Sequence, residues 1–224
     1  AVSRVDDPTM WFPAHSPEHG LTVLLGGRIA LSPHQWDQAE RLPYIGGLAP
    51  RHLLDAWIKG RKQQIPEFNG AAVAIFLDAS ERIGFVRTDR IGCAPIFATS
   101  DSRELVIGSH PDSVASIAAK DGGPMSIDEV TIAEFVRTGT STHPNTYYRD
   151  LVQLDSASVY SFPLSGSGSG PLRKLETYWT PGTLNGENPA PRSQFVEALS
   201  EGLKTAGRLR SSARMGTPAV LLSA

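Results

Sequence analysis

Apolar residues in this chain come mostly in short alternating or unbroken stretches, with helical spacing confined to a few segments. Leu21-Thr22-Val23-Leu24-Leu25 reads as a strand that ends at Gly26-Gly27. Over 50–61, Leu53, Leu54, Trp57 and Ile58 recur at helical spacing, with Pro50 at the start and Gly60 near the end, which predicts a helix. An unbroken apolar run at 71–77, a polar turn at 78–82 and a second run at 83–87 predict a β-hairpin. A glycine turn at Gly92 and a short return strand stopped by Pro95 should follow. Residues 104–108 form another predicted strand.

A short helix is expected over 112–119. A better one should start at a Ser126 cap with Glu129 in the capping-box position, carry Val130, Ile132, Ala133, Phe135 and Val136, and end near Gly139. Two β-rich segments, 158–162 and 172–178, bracket the Gly/Ser run at 165–170. Such a run suits either a flexible linker or a hairpin tip, and its β-rich flanks favour the tip. The domain boundary falls instead in 179–191, rich in Pro, Gly and Asn, so that 1–180 forms one domain and 181–224 opens a second. Phe195, Val196, Leu199, Leu203 and Ala206 share one face of a helix over 192–210, and 218–223 reads as a strand. One helix and one strand cannot close a core of their own. They are expected to be the opening pieces of an α/β sheet.

Composition narrows the class. The 224 residues carry 21 Lys+Arg against 23 Asp+Glu, a net charge of −2, with no long run of either sign. This leaves no electrostatic footprint for nucleic acid or an anionic membrane surface. No apolar stretch approaches the roughly 18 residues that span a bilayer. The single cysteine rules out an internal disulfide framework and suits a reducing, cytoplasmic setting.

Several short motifs then fall in a telling order: Gly26-Gly27-Arg28-Ile29-Ala30, Phe68-Asn69-Gly70, Asp89-Arg90-Ile91-Gly92-Cys93-Ala94-Pro95-Ile96, 104–110, 132–139 and the 172–179 segment ending in Tyr178-Trp179. None is specific alone. Their order and spacing resemble the asparagine synthetase family, with its N-G-E-I-Y strand, D-R-[LI]-G-x-x-P-[LI] block, A-E-Y-L-x-x-G helix and Y-W strand. The resemblance implies an α+β fold, an Ntn-type amidotransferase sandwich of two antiparallel sheets with flanking helices. The first helix and strand of an α/β ATP-pyrophosphatase-like domain would follow it.

The departures matter as much. The family's glutaminase uses a first-residue Cys whose α-amine serves as the base; here residue 1 is Ala1 and no Cys precedes Cys93. The Asn of N-G-E, an oxyanion donor, is Gly26, and its Glu is Arg28. The T-D-T-E segment that grips the glutamine α-amine falls at Ala49-Pro50-Arg51-His52. The domain is therefore expected to lack glutaminase activity. That sets it nearer the branch resembling β-lactam synthetases and lasso-peptide cyclases, which activate a carboxylate with ATP for attack by another amine.

Candidate residues divide accordingly. Cys93 is expected to be a small packed hydrophobe rather than a nucleophile. His15, Glu18 and His19 do not make a zinc site, because Pro17 argues against a helix there. Asp89 and Arg90 read as a structural pair or a turn-stabilising contact beside Gly92. The resemblance places Leu221, Leu222 and Ser223 at the edge of an ATP pocket, with Mg²⁺ neutralising pyrophosphate, and with Ala224 at the family's first loop glycine. The implied reaction is adenylation of a small-molecule or peptide carboxylate followed by amide formation with an amine. The rest of the adenylation machinery is expected beyond Ala224 or on a partner chain. The alternatives are a non-enzymatic scaffold or regulatory subunit for a separate synthetase, and an active glutaminase.

Overall fold

A computed structural model describes residues 12–100, 104–119, 125–164, 171–182 and 191–211. Among them are nine strands and five helices, an α+β fold. Strands β1 (Ala14–Ser16), β2 (Leu21–Ile29), β3 (Gly70–Asp78), β4 (Ile83–Arg87), β8 (Ser158–Pro163) and β9 (Arg173–Thr177) form one antiparallel sheet in the order β1-β2-β3-β4-β8-β9. Strands β5 (Phe97–Ser100), β6 (Leu105–Gly108) and β7 (Val152–Gln153) form the second, in the order β6-β5-β7.

The unbroken apolar run of β3 is explained by its place between two layers. Side chains alternate across a strand. Ala72, Ala74 and Phe76 therefore enter one core, with Val23 and Leu25 of β2 and the residues Trp36, Leu53, Leu54 and Trp57. Val73, Ile75 and Leu77 enter another, with Tyr160 and Phe162 of β8, Ala98 of β5 and Leu105 and Ile107 of β6. The two sheets thus pack face to face, as expected of a sandwich. Helices α1 (Pro33–Glu40) and α2 (Leu48–Lys59) cover the outer face of the large sheet. Helix α3 (Pro111–Ala118) covers the small sheet through Val114 and Ala115. Trp57 anchors α2, its indole edge-on to Phe76 at 5.3 Å and to Phe85 at 6.3 Å.

The predicted hairpins are present. β3 and β4 pair from Asp78↔Ile83 to Ala74↔Arg87, and β8 pairs with β9 around the Gly/Ser run, itself outside the described residues. Helix α5 (Arg192–Arg210) also stands where the apolar spacing places it.

Three local expectations are corrected. β2 does not stop at Gly26-Gly27 but continues to Ile29, because the two glycines let it stay paired with Ala72 and Val73 of β3. No return strand precedes Pro95; residues 88–96 form a loop, since the amides of Ile91, Cys93 and Ala94 bond the Asp89 side chain rather than a neighbouring strand. Helix α4 (Glu129–Thr138) is capped by Asp128, not Ser126, with the Asp128 carboxylate accepting from the amides of Val130 and Thr131. The Ser126 carbonyl instead accepts from the Arg149 amide. The apolar residues of α4 are largely exposed. Val130 and Val136 are 79% and 80% exposed while Thr131 is buried. One further element, α1, carries a signal not used above: Ser32 and Gln35 make a reciprocal capping box with Pro33 between them.

Candidate functional site

The amidotransferase-like positions fall on β2, at the start of β3 and in the first turn of α2. Gly26, Gly27 and Arg28 are exposed on β2 opposite Val73, Ala72 and Ala71. Gly27 has φ +102, and a Cβ there would sit 2.3 Å from the Ala71 carbonyl oxygen. Backbones this close leave no room for a side chain. Helix α2 begins at Gly47, whose amide donates to the Phe12 carbonyl at 3.0 Å, so its first turn lies against the entry to β1.

That first turn contains no acidic residue. Ala49 and Pro50 are buried. Arg51 is half-buried, and its Nε is sequestered without a hydrogen-bond partner. His52 packs its Nε2 3.4 Å from Gln35 Nε2, and burial holds its pKa below the usual histidine value. This turn therefore holds apolar and basic groups and no carboxylate.

The Asp89 loop is structural. Its buried carboxylate accepts from the amides of Ile91 (3.0 Å), Cys93 (3.0 Å) and Ala94 (2.8 Å), and its carbonyl accepts from Ala157 at 2.7 Å. This confirms a turn-stabilising role for Asp89. It corrects the expectation for Cys93: with its amide drawn inward to the carboxylate, the thiol is exposed rather than packed. His15 Nδ1 pairs with Thr22 Oγ1 and His19 Nδ1 with Ser16 Oγ, each at 2.9 Å. Among the described residues no three His, Cys, Asp or Glu side chains converge as a metal site. Leu221, Leu222, Ser223 and Ala224 lie outside the described residues.

One polar cluster escaped sequence reasoning. Asp155 sits between β7 and β8, where Lys174 Nζ donates to Oδ2 at 2.7 Å and His143 Nε2 lies 2.6 Å from Oδ1. Tyr160 Oη donates to Oδ2 at 3.2 Å and accepts from the Asp155 amide at 2.9 Å. Asp155, Tyr160 and Lys174 border a cleft of about 450 Å³ between the two sheets, lined also by Ala98, Leu154 and Leu172. No motif spacing foretells a meeting of positions 143, 155, 160 and 174.

The Lys174 ammonium, aided by His143, holds the Asp155 carboxyl down at about 2. Burial pushes the Tyr160 phenol up to about 12. The folded-state depression of Asp155 means its contribution is fully present above the unfolded carboxylate value of about 4 and is lost as pH falls through about 2. Asp155 is 41% exposed, so solvent screening keeps that contribution small. Asp155→Asn should therefore flatten the acid limb of a stability–pH curve between about pH 4 and 2 and leave its neutral plateau nearly unchanged. Urea unfolding at a series of pH values checks this.

Compared with known proteins, the sequence matches the family description of the glutamine amidotransferase domain over residues 51–179, more than half of the chain. The chain belongs to the glutamine amidotransferase domain family. No curated protein matches it.

Proposed function

We propose that this amidotransferase domain no longer hydrolyses glutamine and serves as the scaffold of an ATP-dependent, amide-forming ligase resembling asparagine synthetase. The observation that carries the first half is the first turn of α2. Where the resemblance puts a carboxylate clamp for the glutamine α-amine, Ala49 and Pro50 are buried, Arg51 is positive and His52 is desolvated. The Gly26 and Arg28 positions point the same way. Glycine has no side-chain amide to stabilise an oxyanion, and arginine cannot replace a carboxylate.

Incubation of the protein with L-glutamine, followed by NMR for glutamate, tests this half. The expected result is no glutamate above the buffer control; steady turnover would overturn the reading.

The ligase half rests on the resemblance and on α5. Phe195, Val196, Leu199 and Leu203 of α5 are exposed, and among the described residues no side chain of this helix is buried. A 19-residue amphipathic helix with an open face is suited to carry a further layer of structure. That layer would be the rest of a synthetase domain, in the same chain or on a partner. The residues that the resemblance gives to ATP and Mg²⁺ lie outside the described ones, so no nucleotide step is assigned to a described side chain. The open face equally suits the second reading, a regulatory subunit for a separate synthetase. ATP–pyrophosphate exchange with candidate carboxylates separates them: exchange by this polypeptide alone supports the ligase, and exchange only on adding a partner supports the subunit.

A further inference from the structure

The buried guanidinium of Arg87 is only partly satisfied. Arg87, at the end of β4, is 2% exposed. Its Nη1 donates to the Ile65 carbonyl at 3.0 Å, and its plane lies 3.7 Å from the centroid of the Tyr178 ring. Its Nη2 is buried and makes no hydrogen bond. The nearest anionic oxygen is Glu67 Oε1 at 3.4 Å, close enough to attract but not to bond. The other oxygen of the same carboxylate, Oε2, lies 3.8 Å from Arg90 Nη2. Charge-assisted bonds between guanidinium and carboxylate close to about 2.7–2.9 Å when seated. Glu67 therefore straddles the two arginines without settling on either.

Its neighbours do not relieve this. Asp89, between the two arginines in sequence, has both carboxylate oxygens engaged by backbone amides of the following loop. The Tyr178 hydroxyl donates to the Thr88 carbonyl at 2.6 Å. The Arg87 and Arg90 side chains themselves are held differently. Arg87 is held by Ile65, Tyr178 and the sheet, whereas Arg90 and Glu67 are 53% and 56% exposed. One buried donor, one exposed donor and one exposed carboxylate make an oxyanion site with an internal competitor.

We propose that Arg87 and Arg90 form a binding site for an oxyanion, a carboxylate or a phosphate, and that Glu67 occupies it until a ligand displaces it. Arginine suits such a ligand because its planar fork stays charged at any physiological pH and offers paired donors. Withdrawal of Glu67 would uncover Arg87 Nη2 and leave two positive groups facing the vacated space. The site lies beside Tyr178, where the chain leaves the sandwich toward α5, so a ligand there would bear on the position of that exit. The inference does not depend on whether the domain hydrolyses glutamine.

The test is a titration of the ¹⁵N-labelled protein with inorganic phosphate and, separately, with acetate, at ionic strength held constant with chloride and read at the arginine Nε–H signals. In Glu67→Gln, which keeps the side chain's shape and removes its charge, one or both anions should give saturable shifts with at least ten-fold tighter binding than in the wild type. Saturation by phosphate alone would assign a phosphate ligand; saturation by acetate would assign a carboxylate. Arg90→Gln in the Glu67→Gln background, an exposed change that spares the fold, should abolish saturation. Equal affinity in the wild type and Glu67→Gln, absence of saturation in both, or saturation that survives Arg90→Gln would overturn the proposal. Saturable wild-type shifts that Arg90→Gln alone removes would support it even if Glu67→Gln were too unstable to titrate.

Discussion

Gly27→Ala should be among the most damaging single substitutions in the chain, lowering stability by more than about 3 kcal/mol. Two effects combine there. The residue has φ +102, a conformation that L side chains rarely adopt, and a methyl group would lie 2.3 Å from the Ala71 carbonyl oxygen and 2.8 Å from Ala72 Cα. Those atoms belong to the backbone of the paired strand β3, which cannot yield without breaking the central β2–β3 ladder. Gly139 provides the control. It caps α4 at φ +78, but an added Cβ would meet nothing within 4 Å. Gly139→Ala should cost only the left-handed strain, about 1 kcal/mol. Urea midpoints of the two variants measure the difference; equal losses would show that the close approach of β2 to β3 is not what fixes glycine at position 27.

The second large effect is expected at Asp78, which closes the β3–β4 turn. Its carboxylate is 2% exposed and accepts from Lys62 Nζ (2.6 Å), the Ser80 hydroxyl (2.5 Å) and the amides of Ser80 (3.0 Å) and Glu81 (3.1 Å). Burial alone would raise its pKa; the Lys62, Ser80 and Glu81 hydrogen bonds outweigh it, so the carboxyl titrates below the usual aspartate value. The pair is thus intact at neutral pH. Its stabilisation is complete above about pH 4 and declines as pH falls through the lowered folded-state value. Asp78→Ala would strand the Lys62 ammonium and two turn amides, at a cost of about 3 kcal/mol, the low end for a broken buried pair because Lys62 is partly hydrated. Asp78→Asn should lose less, since its amide oxygen still accepts from the turn. Thermal unfolding at neutral pH ranks the three proteins. A loss for alanine no greater than for asparagine would mean that the charge pair, rather than the turn bonds, carries the stability.

These two sites show what kind of information was legible in advance. The β3–β4 hairpin, with its polar turn at 78–82, could be read because two apolar runs and a turn of Asp, Ser and charged residues lie next to one another in the chain. Helix α5 could be read because its apolar spacing spans 19 residues without interruption. The glycine pair at 26 and 27 reads as a stop in the sequence, since glycine usually weakens a strand, and only the facing backbone of β3 shows why it is kept. Ser126 and Asp128 both carry capping oxygens, so the sequence alone does not separate them; Asp128 caps α4, while the Ser126 carbonyl is taken by the Arg149 amide. A lone thiol in a turn before Pro95 reads as a packed hydrophobe, whereas Cys93 is exposed, with its amide bonded to the Asp89 carboxylate.

Local pattern carried the β3–β4 and β8–β9 hairpins, the span of α5 and the amidotransferase-like character of the domain, because periodicity, turn chemistry and short ordered motifs act over a few residues at a time. The tertiary structure alone decided which apolar stripes were buried, with β3 packed on both faces while Val130 and Val136 of α4 stay exposed. It alone gathered His143, Tyr160 and Lys174 around Asp155, and Glu67 between Arg87 and Arg90. The physical reason is one of range. Backbone preference is settled within a turn or two of the chain, but a charge finds its partner only after the sheets have stacked and brought distant segments within a few ångströms.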